Sequence, residues 1–269
     1  MKRSGIITLL TDFGVTDPYV AMMRGVILSI NPDARLVDIS HRIRAGSILQ
    51  ASIMMHETFP FFPRGTVHVA VVDPGVGSDR RLIALEAEGH LFVGPDNGIF
   101  WPVIKDYKDV KIIQLTETKY FLAQIRHTFH GRDVFAPVAA HLSLGEDLAN
   151  MGNRIQDPVE ISSPMPRTID NILYGQVMNV DNFGNLITNI CYEDLERFLN
   201  KSKPIIYIGG LELKQLDNIY SDVDRGEPLA HINSSDLLEI AVNLGRASEY
   251  VGVDVSEIIG KVVKVARYE

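Results

Sequence analysis

The sequence predicts an α/β protein of two domains, in which an N-terminal α/β domain with a mostly parallel sheet precedes a smaller, mostly β domain. The first half alternates short β-branched apolar runs with segments of helical periodicity, which is typical of parallel strands covered by helices. A stretch rich in proline and serine follows between Asp157 and Asp170. Beyond it, short strands succeed one another with few helices between them.

Strands and helices alternate through the predicted N-terminal domain. Gly5–Leu10 is an apolar run that ends in a polar turn, as a buried strand does. Apolar residues then recur at helical spacing from Val20 to Ile30, and Asn31-Pro32 ends that helix. Further strands are predicted at Leu36–Ile39, Thr66–Val72, Leu82–Ala87, Leu91–Gly94 and Ile112–Leu115, and further helices at about 47–59 and 133–142.

The change in pattern predicts a domain at 1–160, a linker at 161–171 and a second domain at 172–269. Only two short helices are expected in the second domain, near 193–200 and 245–250. Its strands are predicted at Gly175–Val180, Leu186–Ile190, Ile205–Ile208, Leu237–Val242 and Val262–Ala266.

The composition is that of a soluble globular protein, because 46% of the 269 residues are hydrophobic and 22% are charged. The 26 basic and 34 acidic residues give a net charge of −8, which disfavours nucleic acid or an anionic membrane as a partner. A single cysteine, Cys191, indicates a reducing cytoplasm. No apolar run is long enough to span a membrane, and the N-terminal one stops at Asp12, too early for a signal peptide.

Three acidic turns follow predicted strands: TDFG with Asp12, DPGVG with Asp73 and GPDNG with Asp96. Ligands of open α/β sheets bind beyond the carboxyl ends of the strands, so the three together favour a ligand cleft. Each turn alone could be structural, since Asp and Gly are common in turns. Arg80 comes seven residues after Asp73 and can reach back over the same loop, whereas Arg81 could be a solvated charge.

Two further polar segments are candidates for binding. His130 is followed by Gly131, which allows a ligand close to the backbone, although a lone histidine is as often structural. Asp133 is expected to cap the helix after it. In the second domain, the amide-rich loop around Phe183 suits a flat heterocycle or a simple hairpin turn, and Glu239 places a carboxylate within a predicted strand.

A metal site is the alternative use of the acidic cluster, but its spacing gives that idea little support. No HExxH motif or paired cysteine is present, and phosphate-binding loops of the Walker and GxGxxG types are also missing from the sequence. We therefore predict no metal site. The residues alone predict a two-domain enzyme with an acidic ligand cleft.

Seven segments, in order and in both domains, carry a resemblance to one family. They are ITLLTDFGVTDPYVAMMRGVI, DISH (Asp38–His41), VHVAVVDPGVGSDRR, FVGPDNG, TFHGRDVFAPVAAHL, VDNFGNLITNI and NSSDLLEIAVNLG. The chain resembles the S-adenosylmethionine (SAM) hydroxide adenosyltransferases, also called adenosine-forming SAM hydrolases, which are relatives of fluorinase and chlorinase. The resemblance implies a C-terminal domain of β-barrel type and a homotrimer. Each active site would lie at a subunit interface, between the N-terminal domain of one chain and the C-terminal domain of its neighbour.

The same resemblance implies the reaction and its residues. Water and SAM would give adenosine and L-methionine, with no metal and no cofactor. The family's catalytic Asp, Arg and His fall on Asp73, Arg80 and His130. Its substrate-binding residues fall on Asp12 (ribose), Asn185 and Phe183 (adenine), Asp181 (amino group), Ser234 (carboxylate), and Glu239 and the Val242 backbone (further contacts).

Two other functions stay open as alternatives. The halogenase relatives carry an aromatic residue in place of Asp73 and a different residue at His130, and a fixed carboxylate repels a halide but accepts a proton from water. The other alternative is a non-catalytic sensor of SAM or adenosine. A sensor would need Asp12, Phe183 and Asn185 but has no use for the three catalytic residues.

Overall fold

The computed structural model describes residues 2–251 and 255–268, and it divides the chain into two compact units. The first unit ends at Ser162 and the second begins at Ser163. Within the described residues, no helix is both long and apolar enough to cross a bilayer.

Seven strands and four helices form the N-terminal unit. The strands are β1 (Ile6–Thr11), β2 (Arg35–Ser40), β3 (Val67–Val71), β4 (Leu82–Ala87), β5 (His90–Pro95), β6 (Lys111–Leu115) and β7 (Gly152–Ile155). The helices are α1 (Tyr19–Ile30), α2 (Ile48–Thr58), α3 (Trp101–Asp106) and α4 (Ala136–Ser143). Three short 3-10 turns are Phe59–Phe61, Thr118–Tyr120 and Leu148–Met151, and a π-helical turn, Gly131–Phe135, leads into α4.

The seven strands form one sheet in the order β2-β1-β3-β5-β4-β6-β7. The pairs from β2 to β5 are parallel, and β4 runs antiparallel to both β5 and β6. Five strands therefore point in one direction, and only β4 and β7 are reversed. The predicted α/β unit with a mostly parallel sheet is confirmed.

Helices cover both faces of this sheet because side chains alternate along each strand. Leu9 packs in a core with Met23 of α1 and Val138 of α4. The next residue, Leu10, packs on the other face in a core with Met55 of α2. With both faces covered, the polar residues that follow the strands lie at the carboxyl edge of the sheet.

The C-terminal unit is built mainly from antiparallel strands. They are β8 (Arg167–Ile169), β9 (Ile172–Val180), β10 (Leu186–Cys191), β11 (Lys203–Ile208), β12 (Leu211–Leu213), β13 (Pro228–Ile232), β14 (Leu237–Val242) and β15 (Val262–Tyr268). Short helices are α5 (Tyr192–Leu199), α6 (Ala247–Tyr250) and α7 (Val255–Ile258). The order is β12-β11-β15-β9-β10-β14-β13, with β8 paired to β9. The outer strands β12 and β13 contact each other, so the sheet nearly closes into the expected barrel-like domain.

A chain of buried polar side chains crosses the core of the N-terminal unit. Thr8 Oγ1 lies 2.8 Å from His68 Nδ1, and His68 Nε2 lies 3.1 Å from His90 Nδ1. The ring of Phe92 stacks on His68 at 5.0 Å. Burial, and then the proximity of His90, lower the pKa of His68 to about 3. Both ring nitrogens of His68 have hydrogen-bond partners, so its burial leaves neither of them unpaired.

This histidine pair predicts an acid-sensitive stability. Between pH 6.5 and 3 the unfolded chain binds a proton at His68 that the folded chain does not. The free energy of unfolding should therefore fall as the pH falls, by up to about 1.4 kcal/mol per pH unit for one proton. Urea unfolding of the wild type and His68→Phe between pH 5 and 7 measures this. The variant should be less stable at pH 7 but have the shallower slope, and equal slopes would contradict the prediction.

Candidate active site

A cleft opens in the N-terminal unit where β1 and β3 end side by side. Thr11 and Val71 are paired at the ends of these strands, so the loops after them start as neighbours. The cleft has a volume of about 240 Å³. Its lining comes from four loop regions and the end of β3: Asp12, Phe13, Gly46, Val71, Asp73, Pro74, Val76, Thr128, Phe129, His130 and Gly131. The sequence-predicted Asp12, Asp73 and His130 are thus brought together.

Asp73 is held by Arg80 through a two-pronged ion pair. Arg80 Nε donates to Asp73 Oδ1 at 2.7 Å, and Arg80 Nη2 donates to Asp73 Oδ2. Side-chain exposure is only 9% for Arg80 and 5% for Asp73. Such a fork fixes both groups in one plane and keeps two buried charges paired.

His130 shares the same guanidinium. Arg80 Nη2 also contacts His130 Nδ1, at 3.0 Å. An arginine can only donate, so Nδ1 must carry the lone pair and a neutral His130 ring carries its hydrogen on Nε2. Burial and the charge of Arg80 both lower the pKa of His130. The arrangement therefore holds a neutral imidazole whose N–H faces away from Arg80.

The third nitrogen of Arg80 is available to an acceptor. Its Nη1 is buried and donates to no partner among residues 2–251 and 255–268. A buried guanidinium N–H that lacks an acceptor costs free energy, and a charged donor binds a small oxygen ligand strongly. Arg80 can thus bind a water or hydroxide beside Asp73 and His130.

Asp12 is placed by the loop that follows β2. The Gly46 backbone N–H donates to Asp12 Oδ2 at 2.8 Å. Next to it, the rings of Phe13, Tyr19 and Phe129 contact one another edge-on or tilted, with centroids 5.4 to 5.8 Å apart. On this side of the site, the half-buried carboxylate of Asp12 therefore lies next to aromatic side chains.

Gly77 allows the loop that carries Asp73 and Arg80 to meet the loop that carries His130. Its φ is +80°, a conformation that L side chains rarely adopt, and a Cβ here would lie 2.6 Å from His127 O. The turn that carries Asp73 and Arg80 therefore packs directly against the backbone that leads to His130. This contact joins residues that are 50 positions apart in the sequence.

Arg81 and Asp96 form a second pair that does not line the cleft. Arg81 Nε donates to Asp96 Oδ2 at 2.7 Å, and the Val159 N–H donates to Asp96 Oδ1 at 2.8 Å. Asp96 is buried, and it fastens the chain near residue 159 to the end of β5. Grouping Asp96 with Asp12 and Asp73 as a ligand residue was wrong, because its carboxylate is used internally. Arg81 is a quarter exposed and also pairs with the exposed Asp157, so it is a surface charge that is held in ion pairs.

Asp133 closes the loop that carries His130. It is fully buried, accepts from the Arg126 backbone N–H at 2.7 Å and pairs with Arg132. It does not cap α4, which begins at Ala136 after Phe135 at the N-cap, so that prediction is wrong. The π-helical turn places Asp133 inside the helical segment and turns its carboxylate back toward the loop, a device frequent at functional sites.

In the C-terminal unit, Asp181, Phe183 and Asn185 lie on the tight turn between β9 and β10. Asp181 Oδ1 accepts from the backbone N–H groups of Phe183 and Asn185, at 2.9 and 2.8 Å. Asp181 Oδ2 accepts from Asn185 Nδ2 at 3.0 Å. This leaves Asn185 Oδ1 as the acceptor of a nearly buried amide, while the Phe183 ring is 72% exposed.

Ser234 and Glu239 lie on the β13–β14 hairpin, and Val242 ends β14. Ser234 is exposed on the turn. Glu239 is buried, and its Oε1 accepts from Tyr220 Oη at 3.0 Å and from His231 Nε2 at 3.1 Å. Neither partner was predicted, and the sequence around them offers no motif that could have indicated them.

The charge of Glu239 is stabilised by these contacts. Burial alone would raise its pKa, but the hydrogen bonds from His231, Asn233 and Tyr220 outweigh burial and hold the pKa of Glu239 below its ordinary value. Burial, the hydrogen bond to Glu239 and the charges of Glu239 and Asp181 raise the pKa of Tyr220 to about 12. Tyr220 thus stays protonated and donates its hydrogen bond to Glu239, while the charge of Asp181 also acts on its hydroxyl.

Among the residues that the structure describes, no three His, Cys, Asp or Glu side chains are grouped so that they could hold a metal ion. The carboxylates of the cleft face arginine or backbone N–H donors instead.

Two family profiles match the chain. The SAM hydroxide adenosyltransferase N-terminal domain matches residues 7–152, and the SAM hydroxide adenosyltransferase C-terminal domain matches residues 175–259. The chain belongs to the SAM hydroxide adenosyltransferase family. The resemblance found in the sequence is thereby confirmed.

Relatives of this family member span nearly its whole length. A curated protein of Salinispora arenicola (strain CNS-205), named (R)-S-adenosyl-L-methionine hydrolase, is 36% identical over 260 residues, covering 94% of this chain and 96% of its own. A protein of Actinoplanes sp. (strain N902-109), named fluorinase, is 29% identical over 270 residues, covering 88% and 91%. A crystal structure of an uncharacterized conserved protein from Thermotoga maritima matches with a TM-score of 0.89 at 34% identity, covering 97% of this chain and 100% of that one.

Substitution of Gly77 should destabilise this member of the SAM hydroxide adenosyltransferase family more than substitution of a neighbouring glycine. Gly77→Ala must hold an L residue at positive φ, which costs roughly 1–2 kcal/mol, and its Cβ meets His127 O. Gly75→Ala is the matched control, since Gly75 has no positive φ and its Cβ would approach no closer than 3.5 Å to Ser78 Oγ. Urea unfolding measures both, and equal losses would show that the close approach at Gly77 is unimportant.

Proposed function

We propose that the protein hydrolyses SAM, with water as the nucleophile at C5′ and adenosine and L-methionine as products. The observation that carries this proposal is the buried Arg80, which binds Asp73 and His130 and keeps one nitrogen for an acceptor. The name of the Salinispora arenicola relative supports the same activity. Three further curated relatives at 34 to 35% identity carry that name.

The substrate makes limited demands on the protein. A sulfonium leaves as a neutral thioether, so the leaving group needs no proton. What the reaction lacks is a nucleophile held in line with the C5′–S bond, and water is a poor one because its pKa in bulk is about 15.7. The protein must therefore place one water molecule and make it more basic.

Arg80 and Asp73 supply these two effects. Arg80 Nη1 would hold the water oxygen and stabilise the negative charge that develops on it. His130 presents an Nε2–H and has its Nδ1 lone pair occupied by Arg80, so it acts as a donor that orients the water. The carboxylate of Asp73 is then the group that accepts the proton.

The bond changes balance. The water oxygen forms a bond to C5′, the C5′–S electron pair moves to sulfur, and one water proton passes to Asp73 and then to solvent. The sulfonium charge disappears as hydroxide character develops. A cleft with little water favours this step, because the transition state is less charged than the separated ions.

Substrate binding is assigned to residues of both units. Asp12 would bind the ribose hydroxyls, Phe183 would stack on adenine, and Asn185 Oδ1 would accept from the adenine amino group. Asp181, which has about one acceptor position left, would bind the amino group of the methionine part of SAM. Ser234 would bind the carboxylate of that methionine part. Glu239, with the three donors it binds, and the Val242 backbone complete the set.

The family resemblance implies the assembly, and the single cysteine, Cys191, indicates the location. We propose a homotrimer in the cytoplasm, in which the neighbouring subunit completes each active site. No metal or cofactor takes part in the proposed reaction. The relative's name specifies the (R) form of the substrate, and we propose the same preference here, to be measured by assaying the two sulfonium epimers separately.

Asp73→Asn should lower kcat by about 10²–10⁴-fold with little change in KM, because the amide keeps the size but cannot accept a proton. Asp96→Asn is the matched control: it also removes a buried acid paired with an arginine, but away from the cleft. The control should lose stability and keep its kcat. A large rise in KM for Asp73→Asn with kcat unchanged would make Asp73 a substrate ligand instead.

Labelled water tests the position of attack. In ¹⁸O-water the label should enter the 5′-hydroxyl of adenosine and not methionine, and a chelator should leave the rate unchanged. Excess halide should yield no 5′-haloadenosine, since the site is proposed to activate its nucleophile by moving a proton to Asp73, and a halide carries no proton. Methylthioadenosine with labelled homoserine, a metal-dependent rate or rapid halogenation would each contradict the proposed reaction.

A further inference from the structure

The DISH segment, Asp38–His41, has no role in the proposed reaction, yet two of its side chains, His41 and Asp38, form a chain of polar contacts that runs from the buried Thr11 to an exposed carboxylate. Thr11 Oγ1 lies 2.9 Å from His41 Nδ1, and His41 Nε2 lies 3.0 Å from Asp38 Oδ1. Arg24 of α1 pairs with the other carboxylate oxygen of Asp38. Thr11 is fully buried and His41 is 7% exposed.

The contacts of Thr11 suit one direction of this chain. Its Oγ1 accepts from the Phe13 backbone N–H at 3.3 Å and keeps its hydroxyl hydrogen to donate to a second partner. A neutral His41 ring with its hydrogen on Nε2 offers Nδ1 as that acceptor. Its Nε2 then lies in close polar contact with Asp38 Oδ1, although the geometry is not that of a hydrogen bond. Asp38 is suited to that partner, because its contacts with Arg24 and His41 outweigh burial and lower its pKa.

A threonine, a histidine and an aspartate in contact resemble a nucleophilic triad, but the geometry excludes that role. Thr11 is fully buried, so no substrate reaches its hydroxyl. The imidazole is also reversed relative to a serine-hydrolase triad, since Nδ1 faces the hydroxyl and Nε2 faces the carboxylate. The chain can position other groups but cannot attack.

These polar contacts hold the loop that carries Asp12. His41 binds it twice, through its ring to Thr11 and through its carbonyl, which accepts from the Gly14 N–H at 2.8 Å. A register shift between β1 and β2 falls at this point: Leu9 pairs with Asp38, but Leu10 pairs with Ser40. The extra residue in β2 turns the end of the strand under the loop, as bulges do near active sites.

We propose that His41, braced by Asp38, is a positioning residue that sets the carboxylate of Asp12 for the ribose hydroxyls. The inference rests on the proposed function, because it assumes that Asp12 binds the ribose. His41 is not one of the residues that line the cleft, and its polar contacts are with the loop of Asp12 and with Asp38, so it acts on the affinity for the nucleoside and not on the chemical step.

A double-mutant cycle on adenosine binding tests this role. Adenosine affinity is measured by calorimetry for the wild type, Asp12→Ala, His41→Leu and the double variant. His41→Leu should weaken binding about tenfold, the usual effect of losing a buried hydrogen bond, and should leave kcat unchanged. In the Asp12→Ala background the same change should have no further effect, because its influence passes through Asp12.

Two variants distinguish positioning from general destabilisation. His41→Asn can still accept from Thr11 and should recover most of the affinity. His56→Leu is the matched control, since His56 Nε2 also contacts an aspartate, Asp106, at 3.2 Å, but on α2 and outside the cleft lining. It should lower the Tm without changing adenosine affinity.

The outcomes separate the two proposals. Additive losses in the cycle, or a fall in kcat with unchanged affinity for His41→Leu, would overturn the role of His41 while leaving SAM hydrolysis intact. A wild-type protein that neither binds adenosine nor forms it from SAM would remove the proposed function, and the role of His41 with it.

Discussion

The structure of the active site depends on one constraint, the burial of the Arg80 guanidinium. A guanidinium charge that is largely buried needs an oppositely charged partner and hydrogen-bond acceptors. The rigid end of β3 supplies Asp73, and the loop before the π-helical turn supplies His130. Because Arg80 can only donate, Nδ1 of His130 must accept, so one side chain organises both neighbours and keeps one nitrogen without a partner among the residues that the structure describes.

Arg80 and Arg81 are adjacent and chemically identical, but they bind different partners because their side chains turn in different directions. Arg80 turns back over the glycine-rich turn to Asp73 and His130, whereas Arg81 turns to Asp96 at the end of β5. A carboxylate at position 73 also separates hydrolysis from halide transfer on electrostatic grounds, because it attracts a proton and repels an anion. The Arg80–Asp73 ion pair thus holds two loop residues in place, and its carboxylate favours water over a halide as the nucleophile of the proposed reaction.

The sequence predicted the strands best where apolar and β-branched residues run together, as in β1, β4 and β14. It missed α3, Trp101–Asp106, because six residues are too few to establish a period and Pro102 lies within them. It missed β13, which starts with a proline and carries the polar His231, because that strand is fixed by its pairing with β14. Asp133 was misplaced because a capping preference says nothing about a π-helical turn.

For the site, the sequence by itself determined the acidic turns after β1 and β3 and the reach of Arg80 back to Asp73, since seven residues on one glycine-rich turn leave few conformations. It also marked His130 and the loop around Phe183 as candidates. Only the tertiary structure decided that Arg80 also binds His130, that Asp96 belongs to Arg81, and that His41 supports the loop of Asp12. The physical reason is range: a turn is set by a few backbone dihedrals, whereas these contacts, between residues 15 to 50 positions apart, depend on strand order and on the packing of whole loops.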